Sequence, residues 1–166
     1  MRNIYLIGMM GSGKSTVGEL VATKLGLRFL DLDAAIVTDA QRTIPELFAE
    51  KGEAYFRELE SNILFDLHRL EDLVVATGGG TPLREANVHL MQHSGMVVYL
   101  ERDVEEIIAT IDAEARPLLQ ANPDNVRRIY AERRLCYEKA ASIVVSNNGK
   151  PEDAASEVVE AVLSEC

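Results

Sequence analysis

Apolar residues in this chain fall into short continuous runs separated by stretches with helical spacing. Ile4-Tyr5-Leu6-Ile7, Leu73-Val74-Val75-Ala76-Thr77, Met96-Val97-Val98-Tyr99-Leu100 and Ile143-Val144-Val145 read as strands, with a further short strand at Leu27-Arg28-Phe29-Leu30. The run ending at Thr77 has the continuous hydrophobicity of a central parallel strand buried on both faces. Between the strands, Val17, Leu20, Val21 and Leu25 mark a helix that stops at Gly26, and another starts near Ala34. From Thr43 to Leu70 the helical pattern is interrupted at Gly52, which predicts two helices with a bend: Ile44, Leu47 and Phe48 share one face before it, and Tyr55, Phe56, Leu59, Ile63, Leu64 and Leu67 resume after it. Further helices are expected over about 84–93, 104–111 and 125–141, with an amphipathic helix from Pro151 to Ser164 closing the chain. Residues 112–123, with Pro117 and Pro123, read as an irregular connection.

Strands alternating with helices five times predict an α/β fold, a three-layer parallel sheet flanked by helices. A length of 166 residues fits one domain, and a hydrophobic content of 47% with no Trp gives an aliphatic core. The formal charge of -10 argues against nucleic acid or an anionic membrane surface as partner, so an anionic ligand must be caught by local positive groups. Cys136 and Cys166 form no metal-binding or CxxC pattern, and no apolar run approaches membrane-spanning length, so a reduced, soluble, cytoplasmic protein is expected.

The stretch Gly8-Met9-Met10-Gly11-Ser12-Gly13-Lys14-Ser15 joins the first strand to the first helix, the context in which G-x-x-x-x-G-K-[ST] holds phosphate. Its glycines let backbone N–H groups turn inward, and the helix terminus adds roughly half a positive charge. Gly11, Ser12, Gly13, Lys14, Ser15 and Thr16 are the expected nucleotide-binding residues, with Lys14 reaching the β- and γ-phosphates and Ser15 ligating Mg2+.

Other candidates are more ambiguous. Asp31 and Asp33 follow the second strand, where alternation would place both on one side with Leu32 turned inward; they suit a magnesium ion and a substrate hydroxyl, or Asp33 simply caps the next helix. Arg57 lies beside Phe56 and Leu59, either facing a carboxylate ligand or solvated in a Glu-rich helix. Gly78-Gly79-Gly80 ends a strand as a substrate-binding turn or a plain tight turn. His89 and His93 have a metal-pair spacing but lack a zincin's Glu, and are read as surface residues; most of the basic run from Arg127 to Lys139 is read as solvated. The irregular stretch, about 112–124, suits a lid carrying Arg116.

In order and spacing, the phosphate loop through Thr16, Phe29-Leu30-Asp31-Leu32-Asp33, Ile44-Pro45-Glu46-Leu47-Phe48, Gly52 through Glu60, Gly78-Gly79-Gly80, Arg116-Pro117-Leu118-Leu119, and Arg133 four before Tyr137 resemble the shikimate kinases over nearly the whole chain. The resemblance implies a P-loop kinase fold with strand order 2-3-1-4-5 and phosphorylation of the shikimate 3-hydroxyl by ATP with Mg2+, a step toward chorismate and the aromatic amino acids. It makes Lys14, Asp33 and Arg116 catalytic, assigns Mg2+ to Ser15 and Asp31, and assigns the acceptor to Asp33, Arg57, Gly78, Gly79, Gly80 and Arg133. It also implies a substrate-binding helical segment over about 33–62 and a monomer. Two positions depart from the family pattern: Ala109 stands where an adenine-covering Arg is usual, and Val37 where Glu is common. The rival readings are another small P-loop kinase, of gluconate or a nucleoside monophosphate, and a nucleotide-binding regulatory module without turnover.

Overall fold

The computed structural model describes residues 1–111 and 122–165. Five strands, β1 (Asn3–Ile7), β2 (Arg28–Asp31), β3 (Leu73–Ala76), β4 (Gly95–Glu101) and β5 (Ile143–Ser146), form one sheet in the order β2-β3-β1-β4-β5. Every pairing is parallel, with Tyr5 of β1 opposite Val75 on one side and Val97 on the other. All carboxyl ends therefore open on one edge, and the phosphate loop leaves from the central strand β1.

Side-chain alternation splits the core into two layers. Tyr5, Ile7, Val75, Val97 and Tyr99 face α2 (Leu32–Ala40), α3 (Ile44–Leu67), α4 (Glu85–Ser94), α5 (Val104–Thr110) and α6 (Pro123–Ala140). Ile4, Leu6, Val74, Val98 and Leu100 face α1 (Lys14–Leu25) and α7 (Pro151–Ser164). The three-layer α/β architecture and strand order are as expected. No helix among the described residues is long and apolar enough to cross a membrane.

The bend expected at Gly52 is present inside α3, where φ 81° and ψ 170° leave the helical region at a residue without Cβ. Thr43 and Glu46 close a capping box at the start of this helix. Two expectations change. The extended segment stops at Asp31 and α2 begins at Leu32, so Asp33 lies in the first helical turn and does not continue a strand alternation. The cap is Asp31, whose Oδ1 accepts from the Ala34 amide at 3.0 Å, while Leu32 is buried as expected. The irregular stretch also ends earlier than 124, because Pro123 is already the first residue of α6 with Asn122 as its cap.

Candidate active site

The phosphate loop closes on itself at the end of β1. Ser12 N–H donates to the Met9 carbonyl at 3.1 Å, and Gly13, at φ 93° and ψ 19°, caps α1 in a left-handed conformation that a side chain would strain. A Cβ at Gly13 would also stand 2.4 Å from Nδ2 of Asn147, which donates to the Ser12 carbonyl at 2.8 Å. The end of β5 thus braces the loop from behind. Ser12 itself is fully buried beneath the loop, and its Oγ has no hydrogen-bond partner among the described residues. Lys14 folds back, its Nζ donating to the carbonyls of Gly8 at 2.8 Å and Met9 at 2.9 Å.

Ser15 Oγ donates to Asp31 Oδ2, which brings a hydroxyl and a carboxylate together at the mouth of the loop. Two oxygen donors of this kind, with phosphate oxygens and water completing the shell, suit Mg2+, which is seldom caged by protein alone. Asp31 can serve both purposes because its second oxygen holds the α2 cap. A cavity of about 490 Å³ contains Gly11, Gly13, Lys14, Ser15, Thr16 and Asp31 together with Asp33 and Gly79. Donor and acceptor candidates therefore share one space.

The acceptor side is built on the glycine turn after β3. A Cβ at Gly78 would lie 2.7 Å from Glu60 Oε2 and 3.0 Å from Asp33 Oδ1; at Gly79 it would be 3.4 Å from Arg133 Nη1; at Gly80 it would overlap the Arg57 guanidinium at 2.3–2.5 Å. Gly80 has an ordinary backbone (φ -97°), so here the missing side chain makes room for charged groups of the protein itself. Arg57, Arg133 and Asp33 converge on this turn from three helices, α3, α6 and α2.

The two arginines are held differently. Arg57 Nη1 donates to Glu60 Oε1 at 3.0 Å and its Nη2 lies 3.5 Å from Glu53, while its guanidinium sits 5.2 Å from the Phe56 ring centre. Glu60 is fully buried and also accepts from Thr81 Oγ1 at 2.9 Å. Burial pushes its carboxyl above the usual value, opposed by the Arg57 charge. Arg133 is as buried as Arg57, yet its Nη1 has no hydrogen-bond partner among the described residues. One helical turn on, Tyr137 OH donates to the Gly79 carbonyl at 2.6 Å, and burial raises its phenol to about 12. The four-residue spacing from Arg133 to Tyr137 thus puts both on the α6 face that meets Gly79.

Sequence reasoning named every residue of this cluster except Glu60, Thr81 and Tyr137 as a candidate, and gave no role to Arg102, Asn147 or Asn87. Asn87 Nδ2 donates to the Thr81 carbonyl at 3.0 Å, fixing the 3₁₀ turn Thr81–Leu83 after the glycines. The one signal that could have singled out Glu60 is its place three residues after Arg57 on the same helix face. Arg116 and residues 112–121 of the expected lid lie outside the described residues. His89 is exposed, 3.3 Å from Glu85.

A phosphate loop on the central strand, a hydroxyl–carboxylate pair beside it, Asp33 and Gly79 in the same cavity and two buried arginines against the glycine turn define a P-loop kinase of a small anionic acceptor. Comparison with known proteins narrows the class. The shikimate kinase family model matches residues 10–163, and the chain belongs to the shikimate kinase family, ATP-dependent enzymes that use Mg2+. A shikimate kinase of Clostridium botulinum (strain Eklund 17B / Type B) is 38% identical over 165 residues, covering 99% of each chain. A shikimate kinase from Acinetobacter baumannii, solved in complex with shikimate, superposes with a TM-score of 0.95 at 37% identity, covering 99% of this chain and 94% of that one. The shikimate kinase of Aquifex aeolicus gives 0.85 at 36% identity, with 98% and 97% covered.

Proposed function

We propose that the chain transfers the γ-phosphoryl group of ATP to the 3-hydroxyl of shikimate, giving shikimate 3-phosphate and ADP. The observation that carries this reading is the buried Nη1 of Arg133 beside Gly79, without a hydrogen-bond partner among the described residues, in a subsite whose other cation, Arg57, is already compensated by Glu60. A buried donor without a partner costs about 1–3 kcal/mol, and an acceptor carboxylate would relieve it.

In this reading Arg133 and Arg57 hold the carboxylate, and the backbone of Gly78, Gly79 and Gly80 seats the ring. Asp33, on the opposite wall of the turn, orients the attacking hydroxyl and takes its proton. The nucleotide lies on the backbone of Gly11, Ser12, Gly13 and Thr16. Lys14 exchanges the neutral carbonyls of Gly8 and Met9 for phosphate oxygens, a charge-assisted and therefore stronger pairing. Ser15 and Asp31 would hold Mg2+, which when bound neutralises charge on the β- and γ-phosphates. Arg116 is assigned to the γ-phosphoryl group on the strength of the family motif. Phosphoryl transfer has a loose transition state, so positioning and charge contribute more than a strong base.

We take the whole chain to act as one kinase domain, with acceptor residues over about 33–62 and a lid in the stretch that precedes α6, and as a cytoplasmic monomer without nucleic-acid or membrane partners; the formal charge of -10 supports the last point. Initial rates of ADP release with magnesium-ATP and shikimate, gluconate, AMP or water test the function. Shikimate alone should raise the rate far above the water blank. Stimulation by gluconate or AMP instead would favour another small kinase, and no stimulation by any acceptor would favour a binding module.

A further inference from the structure

Arg102 has no part in the acceptor subsite, yet its side chain enters the same cavity from the carboxyl end of β4. Its Nη1 donates to the Gly11 carbonyl at 3.0 Å, and its Nε is buried without a hydrogen-bond partner among the described residues. The position is fixed by the fold, because β4 lies against β1 and the end of β4 presses on the loop: a Cβ at Gly8 would stand 2.6 Å from the Leu100 carbonyl. On the far side the Asp103 amide donates to Asn148 Oδ1 at 2.7 Å, tying the segment after β4 to the turn after β5.

Among the described residues lining the cavity, Lys14 and Arg102 are the cations and Asp31 and Asp33 the anions, so its formal charge is balanced before any ligand enters. A nucleoside triphosphate brings several negative charges into a protein that is itself acidic. The described residues lining the cavity are those of the phosphate loop with carboxylates, hydroxyls and Ile44, and none of them is an aromatic shelf for a base. A carbonyl at the loop rim is a weak, neutral acceptor for a guanidinium whose fork suits paired phosphate oxygens.

We propose that Arg102 is a second cation of the nucleotide subsite, which exchanges the Gly11 carbonyl for oxygens of the nucleotide's phosphate chain. The proposal rests on the reading of Gly8 to Ser15 as the phosphate cradle and adds to it a side chain from the segment just after β4.

Direct binding of magnesium-ATP, magnesium-ADP, inorganic tripolyphosphate and shikimate to the full chain and to Arg102→Met and Arg102→Lys tests it. Arg102→Met should weaken ATP and tripolyphosphate alike, by about tenfold or more, while shikimate affinity and the melting temperature hold. Arg102→Lys should recover part of the loss, and the wild-type advantage should shrink with added salt. Unchanged phosphate affinity would overturn the proposal. So would a loss confined to ATP and ADP, which would place Arg102 on the base or ribose, or an equal loss for shikimate, which would make it a structural brace of Gly11. Failure of the unmodified protein to bind either ATP or tripolyphosphate would sink the phosphate-loop reading itself, and this proposal with it.

Discussion

The Arg57 guanidinium occupies the place where any residue but glycine at position 80 would put its Cβ, 2.3 Å from Nη2. Gly80→Ala should therefore act on the acceptor subsite. The obstructing atoms are the end of a long side chain, so Arg57 can swing aside and the fold should lose little. Gly8→Ala meets the Leu100 backbone carbonyl at 2.6 Å with φ at 147°, and has no such escape. Calorimetry and steady-state kinetics on the two variants should separate them: a raised KM for shikimate with a near-normal melting temperature for Gly80→Ala, and a destabilised protein for Gly8→Ala. Equal destabilisation would contradict the assignment of Gly80 to Arg57.

Tyr137→Phe removes the 2.6 Å hydrogen bond to the Gly79 carbonyl from a buried site. Leaving that carbonyl unpaired should cost about 1–3 kcal/mol, readable as a lower urea midpoint. Because the carbonyl belongs to the turn that seats the acceptor, affinity for shikimate should fall while that for ATP holds.

Asp31 carries two roles on two oxygens, and Asp31→Asn should split them. Asparagine caps a helix about as well as aspartate, so α2 and the melting temperature should persist. The negative charge beside Ser15 is lost, so activity at low Mg2+ should drop and be partly restored by more Mg2+. Insensitivity to the Mg2+ concentration would remove Asp31 from the metal site.

Arginine at position 57 should not be replaceable by lysine, whose point charge cannot reproduce the paired contacts to Glu60 and Glu53. Arg57→Lys should lose much of the affinity for shikimate and little of that for ATP. Equal weakening of both ligands would count against a carboxylate-binding role.

Glu60 predicts a pH signature. Its carboxyl is raised above the ordinary 4.5, chiefly by burial. The folded protein then holds the proton more tightly than the unfolded chain, so this contribution is complete below about pH 4.5 and is lost as pH rises through the folded value. Glu60→Gln lacks that loss, and its stability relative to wild type should improve from pH 4 to pH 8 in denaturant titrations. Parallel profiles would show that Arg57 compensates the burial fully.

The fold and the donor half of the site were legible because each rests on local chemistry. Continuous apolar runs announce buried parallel strands, and Gly13-Lys14-Ser15 after a strand has a fixed geometric meaning. Asp31 and Asp33 stood out as an acidic pair but were placed with the wrong geometry, because α2 starts one residue after Asp31 and converts strand alternation into a helical turn. Glu60, Tyr137 and Arg102 were silent. Each is ordinary within its own helix or strand and acquires a role only when the sheet order brings α3, α6 and β4 to the glycine turn and the phosphate loop. The motif spacing from Arg133 to Tyr137 was visible, but its reason, one α6 face that bonds Gly79 through Tyr137 and sets Arg133 beside it, required the packed structure.

Transfer to shikimate is measured most directly by ³¹P nuclear magnetic resonance of a reaction containing the protein, magnesium-ATP and shikimate. The γ-phosphate signal should disappear with equimolar appearance of ADP and a phosphomonoester coupled to the proton on carbon 3 of shikimate. ATP left intact, or hydrolysed to ADP and inorganic phosphate with no ester formed, would contradict it.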